Sequence, residues 1–147
     1  FADTWQIKWR TSHPKDHQIS MFYGIEQAIK LKREYEEENN FKYDVVVRLR
    51  TDEYFQRPIG PINEYNLDSV NVLKEWAHVE HGINDHFAFG SSELMDKYLD
   101  VYENFVEIAE MGAEINPECI IGFNAQIRHK LPVTKNDWKY VLWRDKK

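Results

Sequence analysis

The sharpest chemical feature of this chain is an apolar run that ends in a carboxylate, Val45-Val46-Val47-Arg48-Leu49-Arg50-Thr51-Asp52. Consecutive β-branched residues favour a strand, and a continuous apolar run suits one covered on both faces, as in a parallel sheet. In open α/β sheets ligands bind outside the carboxyl ends of the strands. An Asp at that point offers hard oxygen atoms to a divalent cation, of the kind that Mg²⁺ takes from one or two carboxylates together with substrate phosphates. Arg48 and Arg50 alternate onto one face, where they suit a diphosphate or pair an acid. The simpler alternative for Asp52 is an Arg–Asp pair that caps the strand end, and spacing alone leaves both open.

A second feature is Gly82-Ile83-Asn84-Asp85-His86-Phe87-Ala88-Phe89-Gly90-Ser91, in which polar residues precede a short apolar strand. Asn84 and Asp85 stand at the strand entrance, where Asp85 suits a general base or a partner for sugar hydroxyls. The competing reading is an Asx-turn. A third is Asn116-Pro117-Glu118 at the start of a helix, where the helix dipole by itself accounts for Glu118. His78, His81, His86 and His129 follow no compact ligand spacing, and Cys119 is the only cysteine, so a structural zinc site is not expected. Gly-rich phosphate loops, Gly-x-Ser-x-Gly and Cys-x-x-Cys are all absent from the sequence.

These residues need elements to hold them. From about Asp16, a plausible N-cap, the spacing of Ile19, Phe22, Ile25 or Glu26, and Ile29 predicts a helix. Glu36-Glu37-Glu38-Asn39-Asn40 reads as its solvated, frayed end, closed by an Asn in the left-handed conformation. Strands are expected at 43–50, 69–73 and 86–89, with a polar loop over 74–85. Met95, Tyr98, Leu99, Tyr102, Phe105, Val106 and Ala109 form a single helical stripe from Ser91 or Ser92 to Gly112. Pro117 opens a second helix through Ile120, Ile121, Asn124, Ile127 and Leu131. Residues 132–134 and 140–143 read as closing strands, and residues 1–15 as a loop with a short strand or turn. Tyr54, Phe55, Trp76 and Phe87 suit stacking on a sugar or base, though core packing is the simpler fate of each. The mixed order indicates an α/β layered domain.

With 147 residues, 42% of them hydrophobic and 30% charged, the chain suits one domain over 1–147 with its own core. Five Trp, eight Tyr and eight Phe supply large side chains for that core or a cleft. A net charge of -6 without a basic tract argues against nucleic acid as a partner. No apolar run approaches the roughly 20 residues of a membrane span. A single cysteine fits a reducing, cytoplasmic setting. The opening Phe1-Ala2-Asp3-Thr4-Trp5 is neither a tag nor a polar tail, which sets the expectation of a piece of a longer protein.

Residues 41–52, Ile83-Asn84-Asp85-His86-Phe87-Ala88-Phe89-Gly90-Ser91-Ser92, Met95-Asp96-Lys97-Tyr98 and Pro117-Glu118 together resemble a group of glycosyltransferase-like proteins of bacteria, viruses and marine metagenomes. Their pattern is a strand ending in Arg-x-Arg-x-Asp, then Asn-Asp-Gln before a Phe-Ala-Phe-Gly-like strand, then Pro-Glu at a helix start. The resemblance covers most of residues 18–144. It implies a three-layer GT-A-like (Rossmann-like) mixed sheet, incomplete on its amino-terminal side. It implies transfer of a sugar from a nucleotide-sugar donor to a hydroxyl acceptor, assisted by Mn²⁺ or Mg²⁺. Carried over, Asp52 is the metal and diphosphate acid, Arg48 and Arg50 shape the phosphate end, Asn84 and Asp85 face the sugars, and Glu118 supports the site. Two positions depart from the pattern: Thr51-Asp52-Glu53 has one Asp where many GT-A enzymes have two, and His86 stands in place of Gln. The alternative is a non-catalytic binding domain with a degenerate transferase fold. A truncated sheet would leave an open edge, from which a homodimer is expected.

Overall fold

The computed structural model describes residues 15–74 and 81–143. The expected loop or strand in the first residues, and Trp76 and His78, lie outside them. The first helix, α1, runs Lys15–Glu38, so Asp16 sits in its first turn rather than at the cap. Its buried stripe is Gln18, Phe22, Glu26, Ile29 and Glu36, while Ile19 is exposed. The stripe therefore begins one residue before the one that hydropathy selects and carries three polar side chains. Asn40 takes a φ of 53° just past the helix, the left-handed closure expected there.

Four strands form one sheet: β1 (Val46–Leu49), β3 (Val70–Leu73), β4 (Phe87–Gly90) and β5 (Val133–Asn136), in the order β1-β4-β3-β5. β4 is antiparallel to both β1 and β3, and β3 is parallel to β5, so the sheet is mixed. Among the described residues β1 is an edge strand with an antiparallel neighbour, not the doubly covered parallel strand its valines suggest. Only Val46 and Arg48 turn inward; Val47 and Leu49 are exposed. β2 (Glu53–Phe55) and β6 (Tyr140–Leu142) make a separate antiparallel pair. β2 is absent from the sequence reading because three residues after a turn carry no resolvable period.

The single helix expected from residue 92 to 111 is two: α2 (Ser92–Tyr98) and α3 (Phe105–Glu110). The amide of Asn124 explains the break, since its Nδ2 donates to the carbonyls of Lys97 at 2.9 Å and Tyr98 at 3.2 Å and so closes α2. Gly112, at φ 101°, ends α3 as expected. α4 (Pro117–Phe123) opens with Pro117 at its first turn and Asn116 as N-cap, whose Oδ1 accepts from the N–H of Cys119 at 2.8 Å. The chain then widens into a π-helical turn over Asn124–Arg128.

The main core joins α1, α2, α3 and α4 to β3 and β4 through Phe22, Ile29, Val72, Ala88, Tyr98, Ile108 and Ile120. A smaller aromatic core of Phe87 and Phe89, with Phe55, Tyr65, Trp138 and Tyr140 against it, joins the two sheets. Of the aromatics set aside for stacking, Phe55 and Phe87 meet at 4.9 Å inside this core.

Glu36 corrects the expectation of a frayed helix end. Its buried carboxylate accepts from Ser92 Oγ at 2.6 Å, from the N–H of Tyr43 at 2.9 Å and from Lys42 at 2.9 Å, and pairs with Lys32 at 3.1 Å. Burial pushes the carboxyl upward, yet these donors prevail and hold it at about 2. A depressed acid contributes its full stability above the unfolded value near 4.5 and loses it as the pH falls toward 2. Glu36→Gln is therefore expected to destabilise the chain by about 3 kcal/mol at pH 7, the scale of a broken buried pair. Urea unfolding should show the gap between the two proteins narrowing steadily below pH 4.5. A gap that does not change with pH would mean that the charge of Glu36 contributes nothing.

Candidate functional site

Antiparallel pairing of β1 with β4 is what assembles the site. Leu49 stands opposite Phe87, so the residues that leave β1 and those that enter β4 meet at one end of the sheet. The Arg-x-Arg-x-Asp segment and the Asn-Asp-His segment, more than thirty residues apart in sequence, are thereby neighbours. The guanidinium of Arg48 lies 3.9 Å from Asp85, and His86 Nε2 lies 3.4 Å from the other oxygen of Asp85. Asp85 is only 4% exposed, which is uncommon for a carboxylate unless charge faces it.

An Asx-turn does form, but through Asn84, whose Oδ1 accepts from the N–H of His86 at 2.9 Å. Asn84 Nδ2 donates to the hydroxyl of Tyr140 at 3.0 Å, which ties this turn to β6. Asp85 is left to face Arg48 and His86.

Asp52 takes the simpler of its two alternatives. Arg50 grips it in a bidentate pair, Nε to Oδ1 at 2.8 Å and Nη2 to Oδ2 at 2.7 Å. The Arg50 hydrogen bonds hold the Asp52 carboxyl below its ordinary range. The backbone is fixed as well, because the carbonyl of Asp52 accepts from the N–H of Trp143 at 2.6 Å. A divalent cation here would have to share both oxygens of Asp52 with the guanidinium of Arg50, so the carboxylate suits a cation poorly. Among the described residues no three His, Cys, Asp or Glu side chains gather closely enough to hold a metal ion.

Glu118 reaches this neighbourhood through its main chain. Its carbonyl accepts from the N–H of Ile83 at 3.1 Å, which pins the first turn of α4 to the segment that carries Asn84 and Asp85. Gly122, one helical turn later, lies so close to the same segment that a Cβ there would stand 1.8 Å from the carbonyl oxygen of His81.

Glu53 and Tyr98 carry no site role in the sequence reading, and His86 enters it only as one of four histidines and as a departure from the resembled pattern. Glu53, the first residue of β2, is half-buried, and burial pushes its carboxyl up to about 7 against the opposing pull of Arg48 and Arg50. Burial likewise lowers His86, in opposition to Asp85. Tyr98 is fully buried, and burial raises its hydroxyl above the ordinary phenol value. Arg48 Nη1, both Glu53 oxygens, His86 Nδ1 and the Tyr98 hydroxyl are all buried without a hydrogen-bond partner. Arg48 and Asp85 act electrostatically on Glu53, His86 and Tyr98 alike, so these orphan atoms share one neighbourhood. Unpaired buried polar atoms are rare and call for a ligand, a water or an ion. The sequence signal for Glu53 was its place beside Asp52; Tyr98 was hidden because it also fits the apolar stripe of its helix.

A family model described as a domain of unknown function, DUF7796, matches residues 10–145. Comparison with curated proteins and with solved structures gives no match. No helix among the described residues is long and apolar enough to cross a membrane.

Proposed function

The chain belongs to the DUF7796 family, and we propose that it serves in glycosyl transfer from a nucleotide-sugar donor to a hydroxyl acceptor. The observation that carries this reading is the meeting of Arg48 with Asp85 at 3.9 Å, where two segments that resemble glycosyltransferase motifs converge. In this reading the mixed sheet is a GT-A-like one, and its ligand lies beyond the end of β1. Arg48 and Arg50 receive the diphosphate, for which guanidinium groups are well shaped. Asp85 accepts the proton of the acceptor hydroxyl as its oxygen bonds to the anomeric carbon. The bond from that carbon to the diphosphate breaks, and the diphosphate leaves with the bonding pair. Asn84 and the Tyr140 hydroxyl position the sugars, and Glu118 supports the loop beneath them. The buried thiol of Cys119 accords with a cytoplasmic setting.

A thermal-shift panel of UDP, GDP and CMP and their sugars tests the reading. A ligand at about 100 times its dissociation constant adds about 2.7 kcal/mol, which raises the melting temperature by roughly 5–10 °C. The expected result is such a shift with one nucleotide family, lost in Arg48→Ala. No shift with any member of the panel would favour the alternative of a binding domain without transferase activity.

A further inference from the structure

The charges at the end of β1 are already matched. Arg50 takes both oxygens of Asp52, at 2.8 and 2.7 Å, and Arg48 faces Asp85 at 3.9 Å. Glu53 does not complete a metal-ligand cluster with them, since among the described residues no three His, Cys, Asp or Glu side chains gather closely enough to hold an ion. A divalent cation placed here would meet two carboxylates that each have a guanidinium beside them. It would have to share both oxygens of Asp52 with the guanidinium of Arg50, against the repulsion of that positive charge. An arriving anion meets one guanidinium donor that has no acceptor. Arg48 is about nine-tenths buried, and its Nη1 donates to nothing. Arg50 is about one-third exposed and is held in a fixed orientation by Asp52. A buried guanidinium N–H group without an acceptor costs free energy that a phosphate oxygen would recover.

We propose that Arg48 and Arg50 neutralise the diphosphate of the donor in place of a metal ion, and that Asp52 positions Arg50 rather than coordinating a cation. The inference rests on the nucleotide-sugar reading for its ligand, but its claim about Asp52 stands on the geometry alone. Asp52 is thus a positioning residue: it holds the fork of Arg50 toward the strand end.

Two measurements test this together. In calorimetric titration, affinity for the nucleoside diphosphate of the responding family should be the same within about twofold in EDTA and in 1 mM Mn²⁺. It should fall roughly 10- to 100-fold in Arg50→Gln, the scale of a lost hydrogen bond to a charged group. The Asp52→Asn variant should lose less than Arg50→Gln and should stay indifferent to Mn²⁺. Binding that requires Mn²⁺, and disappears in Asp52→Asn, would overturn the proposal. Electron paramagnetic resonance of Mn²⁺ with the chain alone decides the Asp52 claim without any nucleotide. The signal should remain that of the free aqueous ion. A stoichiometric Mn²⁺ site that Asp52→Asn abolishes would overturn it, even if no nucleotide binds and the transferase reading fails separately.

Discussion

Gly122→Ala should lower the melting temperature by roughly 10 °C, the largest stability effect expected from any single methyl group in this chain. The added Cβ would lie 1.8 Å from the carbonyl oxygen of His81 and 2.8 Å from its carbonyl carbon, with the Cα of Gly82 at 3.3 Å. Those atoms are backbone, so no rotamer change can relieve the clash. Either α4 or the segment at 81–83 has to move. Overpacking of this kind costs typically 1–3 kcal/mol and occasionally more, and a contact this short belongs at the upper end. The segment is poorly placed to yield. His81 already sits at φ 60°, and the next residues are anchored by the Ile83 N–H to Glu118 bond. Gly24 supplies the contrast, because a Cβ there meets nothing within 4 Å. Gly24→Ala in the exposed middle of α1 should stabilise by about 0.5–1 kcal/mol through helix propensity. Amide exchange adds a local readout: in Gly122→Ala the Ile83 amide should lose protection before the amides of β4. If the melting point stays within 2 °C of the original, at the level of roughly half a kcal/mol, and Ile83 stays protected, the helix and the segment are not apposed as described.

Part of the site is legible in the sequence and part is not. The Arg-x-Arg-x-Asp and Asn-Asp-His segments each stand out because a strong local pattern, a β-branched run or a short Phe-Ala-Phe-Gly strand, frames polar residues at a known strand end. Their convergence needed the pairing partner, and an edge strand of three valines looks the same in sequence as a central one. The run therefore reads as a parallel strand, although Val46 packs on the main core and Val47 is exposed beside an antiparallel neighbour. Glu36 shows the reverse error. A run of acids is normally a solvated helix end, and Glu37 and Glu38 are exposed. Nothing local says that Ser92, Lys32, Lys42 and the backbone of Tyr43 will close on one member of the run. Asn124 likewise divides α2 from α3 across 26 residues, a cap no window of helical spacing can contain. Long-range polar contacts, more than hydrophobic ones, are what the periodicity of the chain leaves out.

Asp85→Asn should reduce turnover by about 10²- to 10⁴-fold once a donor and acceptor are in hand, the range attributed to a positioned general base. Asparagine keeps the shape of the side chain and can still accept a hydrogen bond, but it cannot take up the acceptor's proton. The loss should therefore fall on kcat, while the affinity for the donor diphosphate changes little. His86→Gln provides the control beside it. The imidazole lies 3.4 Å from Asp85, and burial disfavours its charged form, so a neutral amide is a conservative replacement. Gln also stands at the matching position in the proteins this segment resembles. That variant should retain turnover within a fewfold of the original. The two variants separate chemistry from architecture because the side chains are adjacent, one buried and one nearly so. Damage to the loop would lower both activities together. An Asp85→Asn protein that keeps more than a tenth of its turnover would remove Asp85 as the base. A dead His86→Gln protein with intact donor binding would move that role toward the imidazole.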